Sequence, residues 1–148
     1  MKAAVFKAAG QPLVVEERPD PAPAERQLVV AVDYCGICGT DLHSTREGPA
    51  MLPCNSVLGH EFVGEVVELG QGLVTPWEKG DRVCALPFLT CGGCEACVSG
   101  RPFECLEIGC IGVDRPGGFA EYVITSEFNT MKLPDQLSTR DAVSYTHL

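Results

Sequence analysis

Four cysteines in the middle of the sequence form its most specific chemical pattern. Two residues separate Cys91 from Cys94 and Cys94 from Cys97, and seven separate Cys97 from Cys105. Gaps of two residues let successive thiolates turn toward a common centre, and the longer gap lets the chain return with a fourth. Four thiolates that leave no open position predict a tetrahedral structural zinc site.

Two other interpretations of these cysteines have to be weighed against zinc. Buried free thiols are one, because unpaired cysteines often behave as small hydrophobic residues. An iron–sulfur cluster is the other, because bacterial ferredoxins also use gaps of two residues, but their next gap is three residues and proline follows. Here that gap is seven residues, and Leu106 follows Cys105. The spacing therefore favours zinc, and we expect this cysteine-rich segment to need its metal for folding.

A second candidate metal site combines two separated segments. Cys38 lies just beyond a β-rich run that ends at Tyr34, and Gly-His-Glu at residues 59–61 opens another such run. Taken alone, His60 would more often be a hydrogen-bonded polar residue than a ligand. Cys35 and Cys38 alone could form a redox pair, but no βαβ pattern follows them.

The remaining pattern is one of short β-rich runs separated by Gly and Pro turns. They cover residues 1–6, 13–17, 28–34, 61–69, 82–86 and 119–124. Many short strands of this kind predict a mainly β fold, a closed or nearly closed barrel, with the segment at about 88–110 inserted as an irregular lobe. Along the run 61–69 we expect Val63, Val67 and Leu69 to share one face.

Composition excludes several classes of function. The net charge of −9 argues against a nucleic-acid partner, which would need clustered Lys and Arg. No apolar run approaches the roughly 18 residues of a membrane-spanning helix. The first apolar stretch is too short for a secretory signal, so we expect a cytoplasmic protein. Its nine cysteines are an odd number, which favours metal ligation over a disulfide framework.

The cysteines outside the array need separate treatment. Cys54, Cys84 and Cys110 lie in or beside apolar runs, and we expect them to be small core residues. Cys35 is close enough in sequence to Cys38 to be an alternative thiolate ligand.

Together these segments resemble the zinc-dependent medium-chain alcohol dehydrogenases, a family that includes sorbitol, threonine and butanediol dehydrogenases. The resemblance rests on Cys-Gly-Thr-Asp-Leu-His at residues 38–43, on Gly-His-Glu-Phe-Val-Gly at 59–64, on Gly-Asp-Arg-Val at 80–83 and on the four-cysteine array. These motifs occur in the family's order and at its spacing, and the match runs from Met1 to about residue 142.

The resemblance implies a GroES-like, partly open β-barrel over residues 1–142, with a structural-zinc lobe at about 88–110. The tail at 143–148 does not match the family. No Gly-x-Gly-x-x-Gly follows a strand, so we expect the Rossmann domain that would bind NAD or NADP to be missing from this chain.

The resemblance also assigns a catalytic zinc, the second zinc of the chain. Cys38 and His60 match its ligands, and Glu61 matches a carboxylate that ligates the metal or stands close behind it. Asp41 matches the residue that orients His60. Such a metal would polarise the substrate alcohol.

The same resemblance implies the activity and its proton path. Thr40 and His43 match a relay that carries the alcohol proton to water while a hydride passes from a secondary alcohol or polyol to NAD(P). The full-length enzyme is expected to be a homo-oligomer. A non-catalytic zinc-binding module is the alternative, but a purely structural zinc would need no relay such as Thr40 and His43.

Overall fold

The computed structural model describes residues 1–47 and 54–143. Within these ranges the strands are β1 (Lys2–Val5), β2 (Val14–Glu17), β3 (Gln27–Gly36), β4 (Glu61–Leu69), β5 (Arg82–Ala85), β6 (Phe88–Leu89), β7 (Gly109–Cys110), β8 (Tyr122–Ser126) and β9 (Thr130–Lys132). The helices are α1 (Gly39–Glu47), α2 (Glu95–Val98) and α3 (Thr139–Ala142). None of the helices in the described ranges is long and apolar enough to cross a membrane.

The main sheet has five antiparallel strands in the order β8-β3-β4-β5-β9. β1 and β2 form a separate pair, which joins the rest through isolated bridges from Ala3 to Ala120 and from Val5 to Val57. The main sheet curls into a partly open barrel. This confirms the mainly β, GroES-like architecture predicted from the sequence.

The barrel interior holds the main hydrophobic core. Its buried members come from four adjacent strands and the segments around them: Leu28, Val30, Phe62, Val66, Trp77, Val83, Ala85, Ile111 and Val123. Full burial of one Val, Leu, Ile or Phe side chain contributes about 1.5–3 kcal/mol. This core fixes β3 and β4, the two strands whose ends carry the candidate ligands of the second metal site.

One face assignment made from the sequence is wrong. Leu69 packs against the main core, whereas Val63 packs against Cys84 in a separate cluster. β3 pairs with the residues on either side of Val67 but passes over Val67 itself, so β4 contains a β-bulge there. The extra residue shifts the alternation of side chains, and positions on either side of the bulge that look equivalent in sequence face opposite ways.

The inserted lobe is closed at its base by β6 and β7. Phe88 pairs with Cys110 and Leu89 with Gly109, which brings the two ends of the lobe together. Inside the lobe lie α2 and a single 3₁₀ turn, and several apolar side chains there are exposed, Leu106 almost completely. The lobe therefore has little hydrophobic core of its own.

The three cysteines expected in the core differ in their burial. Cys84 is buried and Cys110 is half-buried, but Cys54 is exposed, so the expectation for Cys54 is wrong. Cys54 lies in an exposed turn, just before the point at which Asn55 N–H donates to the Phe6 carbonyl. The adjoining residues 48–53 and most of the tail, 144–148, lie outside the described residues.

Candidate metal centres

The four cysteines of the lobe converge on one point. Their sulfur atoms all lie within 4.8 Å of one another. The individual separations are 3.5 Å for Cys94–Cys97, 3.6 Å for Cys91–Cys105 and 3.9 Å for Cys91–Cys97. Four sulfurs each about 2.3 Å from a central zinc would lie about 3.8 Å apart at the corners of a tetrahedron. The observed separations bracket that value, so the residues fit a structural zinc.

These separations also exclude disulfides among the four cysteines. A disulfide requires its sulfurs to be about 2.05 Å apart. All nine cysteines of the chain are free thiols. The cluster is therefore available as a set of metal ligands.

The local backbone prepares one of these thiols to ionise. Hydrogen bonds from the backbone N–H groups of Gly93 and then Cys94 lower the pKa of Cys91 to about 7. Burial, followed by the hydrogen bond with Cys94, raises the pKa of Cys97 to about 11. Because zinc binds the thiolate, donors aimed at Cys91 favour the form that the metal requires.

The second centre begins at the N-terminus of α1. Cys38 is the residue before the helix, and its backbone N–H donates to Asp41 Oδ2 at 2.9 Å. This is half of a capping box, in which a carboxylate in the first turn satisfies the residue preceding the helix. The cap fixes the Cys38 thiol at the point where β3 gives way to α1.

Asp41 also connects Cys38 to the segment that carries His60. Its Oδ1 accepts a hydrogen bond from the backbone N–H of Gly59 at 3.3 Å and lies 3.8 Å from His60 Nδ1. Asp41 is 4% exposed, so these contacts are made away from solvent. His60 Nδ1 is itself buried and has no hydrogen-bond partner within the described residues. One carboxylate thus spans both halves of the centre.

Glu61 is the third member of the centre. The ligand atoms of Cys38, His60 and Glu61 all lie within 4.8 Å of one another. Glu61 is 3% exposed, and its carboxylate lies against the backbone of Gly36, where an added Cβ would come within 2.6 Å of Oε2. Burying a carboxylate beside a thiol and an imidazole is costly unless the charge is compensated. A divalent cation bound by this donor set would supply that compensation, and Cys, His and Glu are all established zinc ligands.

The two relay candidates lie on α1 beside this centre. The Cys38 thiol donates to Thr40 Oγ1 at 3.6 Å. His43 lies one turn further along, 67% exposed, with its Nδ1 3.3 Å from Glu47 Oε2. Thr40 is therefore next to the candidate metal ligands, and His43 is exposed to solvent in the middle of the same helix.

Cys35, the alternative thiolate, is not in the ligand cluster. Its side chain packs against the main core, and its Sγ lies within 3.1 Å of the position of an added Cβ on either Gly59 or Gly118. Burial raises the pKa of Cys35 to about 12, which disfavours the thiolate. Cys38 is the cysteine that the fold brings to His60.

This architecture agrees with a known domain family. Residues 24–135 match the alcohol dehydrogenase GroES-like domain. The chain belongs to this family.

Characterised relatives extend the comparison. L-threonine 3-dehydrogenase of Alteromonas mediterranea is 38% identical over 141 residues, which are 93% of this chain and 41% of that protein. Galactitol-1-phosphate dehydrogenase from Escherichia coli superimposes with a TM-score of 0.86 at 31% identity, covering 97% of this chain and 41% of that one. Acetophenone reductase from Geotrichum candidum, solved with NAD, gives 0.85 at 32% identity, with 98% and 43% covered. The chain thus spans about two fifths of the length of these relatives.

No pattern in the sequence marks the glycines that pack against Gly59, the residue before His60. Gly112 and Gly117 both approach the carbonyl oxygen of Gly59. In the sequence they belong to a turn more than fifty residues away from it. Only the fold shows that they meet.

Proposed function

We propose that this chain is the zinc-carrying catalytic part of an NAD(P)-dependent alcohol dehydrogenase. The observation that supports this most is the convergence of Cys38, His60 and Glu61 within 4.8 Å, in a chain that also carries a closed four-cysteine site. A structural zinc takes four protein ligands, whereas a catalytic zinc takes three and keeps a position for its substrate. The two centres have those two ligand counts.

The proposed substrate class is a secondary alcohol or polyol. The names of the similar proteins describe oxidation at position 3 of threonine, oxidation of a phosphorylated polyol, and reduction of acetophenone, a ketone whose reduction product is a secondary alcohol. These molecules differ widely but share a secondary alcohol or the corresponding ketone. The similarity therefore supports a substrate class, the secondary alcohols, rather than one particular compound.

Each residue of the second centre has a proposed task. Cys38, His60 and Glu61 hold the zinc, and Asp41 fixes His60 and Cys38 relative to each other. When bound, zinc supplies the Lewis acidity that makes an alcohol proton easier to remove, and the nicotinamide accepts the hydride. Removing any one of these three ligands would leave the zinc with only two ligands from the protein.

Thr40 and His43 are proposed to move the alcohol proton. The Thr40 hydroxyl lies 3.6 Å from the Cys38 sulfur, close enough to the centre to accept a proton there. The exposed His43 imidazole can pass that proton to water, because one of its ring nitrogens can accept a proton and the other can donate one.

We also propose a domain organisation, a compartment and an oligomeric state for this protein. We assign residues 1–142 to one domain, with its zinc lobe at about 88–110, and the nicotinamide site to a separate nucleotide-binding domain. We also propose a cytoplasmic homo-oligomer. Nine free thiols suit a reducing compartment.

The test is turnover by the enzyme in which this domain is joined to a nicotinamide-binding domain. With threonine, galactitol 1-phosphate and 1-phenylethanol as substrates, NADH or NADPH formation is followed at 340 nm. His60→Ala should abolish turnover. His43→Ala should slow it about 10- to 100-fold, within the usual range for proton-transfer groups. Full activity of His60→Ala, or no oxidation of any alcohol by the zinc-loaded enzyme, would contradict the proposal.

A further inference from the structure

We infer that Gly112, Gly117 and Gly118 are positioning residues for the histidine of the second metal centre. They form the tip of the segment between β7 and β8 and will be called the glycine clasp. The inference rests on the proposed zinc site, and it concerns residues that touch neither metal nor substrate. It follows from how closely the clasp approaches the residue before His60.

Hydrogen bonds tie the clasp to the chain leading into His60. Gly118 N–H donates to the Gly59 carbonyl at 2.8 Å, and Gly117 N–H donates to the Val57 carbonyl at 2.9 Å. On its other side, Gly59 N–H donates to Asp41. Gly59 is therefore held through both of its peptide groups, its carbonyl by the clasp and its N–H by the carboxylate that also faces the His60 ring.

Space at this point admits glycine alone. A Cβ on Gly117 would lie 2.3 Å from the Gly59 carbonyl oxygen, and a Cβ on Gly112 would lie 2.5 Å from the same atom. Both clashes are with backbone, which cannot rotate away as a flexible side chain can. Gly59 itself has a φ of +91°, and a Cβ there would meet Phe119 at 2.6 Å. Relieving either clash requires the backbone to shift, and the hydrogen bond from Gly118 couples any shift of the clasp to the Gly59 carbonyl.

That movement would be transmitted to the imidazole of His60. Metal–ligand distances tolerate only about 0.2 Å of variation. In Gly117→Ala the new Cβ would lie 2.3 Å from the Gly59 carbonyl oxygen, and an ordinary contact between such atoms is about 3.2 Å. The shift needed to relieve the clash is therefore several times larger than the variation that a metal–ligand distance tolerates. The four-cysteine site lies on a different segment and should be unaffected. The clasp therefore sets the affinity of one metal centre and not of the other.

The test is zinc binding by the 148-residue chain and by Gly117→Ala, measured by competition with a chromogenic chelator and by native mass spectrometry. We expect the second site to weaken at least 10-fold in the variant, the scale seen when groups supporting a metal ligand are removed. The four-cysteine site should keep its zinc. Gly118→Ala, whose Cβ would meet the Phe62 side chain at 2.9 Å, is the milder variant and should show a smaller loss in the same direction.

Two matched glycine variants separate positioning from general damage. Gly39→Ala lies next to the ligand Cys38, but a Cβ there meets nothing within 4 Å, so zinc binding should be unchanged. Gly70→Ala would place its Cβ 2.0 Å from the Ala24 carbonyl at the far end of β4. It should lower the melting temperature while leaving both zinc affinities unchanged.

The outcomes distinguish this inference from the proposed function. A wild-type chain that binds only one zinc overturns both. A wild-type chain that binds two, with equal affinity in Gly117→Ala and Gly118→Ala, overturns the glycine clasp alone. Equal loss of the second zinc in Gly70→Ala and Gly117→Ala would also overturn it, because the effect would then be general instability.

Discussion

Replacement of Asp41 by Asn tests how the two halves of the second centre are joined. The substitution preserves shape but turns one carboxylate oxygen into an N–H₂ group. Asp41 uses one oxygen for the Cys38 N–H at 2.9 Å and the other for the Gly59 N–H at 3.3 Å. An asparagine can accept from only one of them. In either orientation of the asparagine amide, its N–H₂ group faces one of these two backbone N–H donors.

The cost follows from burial. Asp41 is 4% exposed, so water cannot readily replace the lost acceptor. Leaving one buried N–H without a partner costs about 1–3 kcal/mol of unfolding free energy. Loss of the carboxylate behind His60 should also weaken zinc at this centre about 10- to 100-fold. That change equals about 1.4–2.7 kcal/mol of binding free energy.

The assay is chelator competition for zinc, together with urea unfolding of the zinc-loaded chain. Asp33→Asn is the matched control, because Asp33 is an exposed carboxylate on β3 that makes no hydrogen bond or ion pair to the described residues. We expect Asp41→Asn to lose affinity at the second centre only, and Asp33→Asn to behave as wild type. If the two variants bind zinc equally, Asp41 does not organise the centre.

Three further predictions concern other parts of the chain. Cys105→Ala removes a buried thiolate from the closed four-sulfur site, so elemental analysis should find one zinc fewer and limited proteolysis should cut the lobe. Glu127→Ala leaves two backbone N–H groups at residues 74–75 without their buried carboxylate, so urea unfolding should show a loss of about 2–3 kcal/mol. Burial raises the pKa of Asp81, but the hydrogen bonds from Lys132 and from the Glu78 N–H, together with the charge of Lys132, outweigh it, so the pKa lies below its ordinary 3.8. The stability from this pair is therefore present above the unfolded pKa and lost as the pH falls through the folded one, so the deficit of Lys132→Met at pH 7 should shrink as the pH falls below 3.8.

Each of these has an outcome that would contradict it. Undiminished zinc in Cys105→Ala would mean that the lobe closes around the metal without its fourth sulfur. An unfolding free energy within about 0.5 kcal/mol of wild type in Glu127→Ala would show that water replaces the carboxylate. A constant difference between Lys132→Met and wild type from pH 7 to pH 2 would exclude the ion pair as its source.

Much of the candidate site could be predicted from local sequence because its signals are local. The two-residue gaps among Cys91, Cys94 and Cys97 determine that their thiols can meet, whatever the surrounding fold. Asp41 could be paired with His60 only through the family resemblance, and the structure adds that it also caps α1 at Cys38. That second contact follows ordinary capping spacing, three residues after Cys38, and could have been read from the sequence.

The features that sequence reasoning missed depend on long-range pairing. The bulge at Val67 is set by the register between β3 and β4, and no local pattern marks it. The contact between Gly59 and Gly117 joins segments that approach each other only after the barrel forms. Cys54 follows an apolar run but lies in an exposed turn, where the next two residues, Asn55 and Ser56, hydrogen-bond to the backbone of Phe6. Periodicity describes a strand in isolation, whereas these three features arise from the partner that each segment meets.

The most direct test of the central claim is the zinc content of the purified chain and of two histidine variants, measured by elemental analysis. We expect two zinc ions per wild-type chain, one in His60→Ala and two in His43→Ala, because we propose that His60 is a ligand and that His43 is not. Iron in place of zinc, or a content that His60→Ala leaves unchanged, would contradict the assignment of a second zinc centre to Cys38, His60 and Glu61.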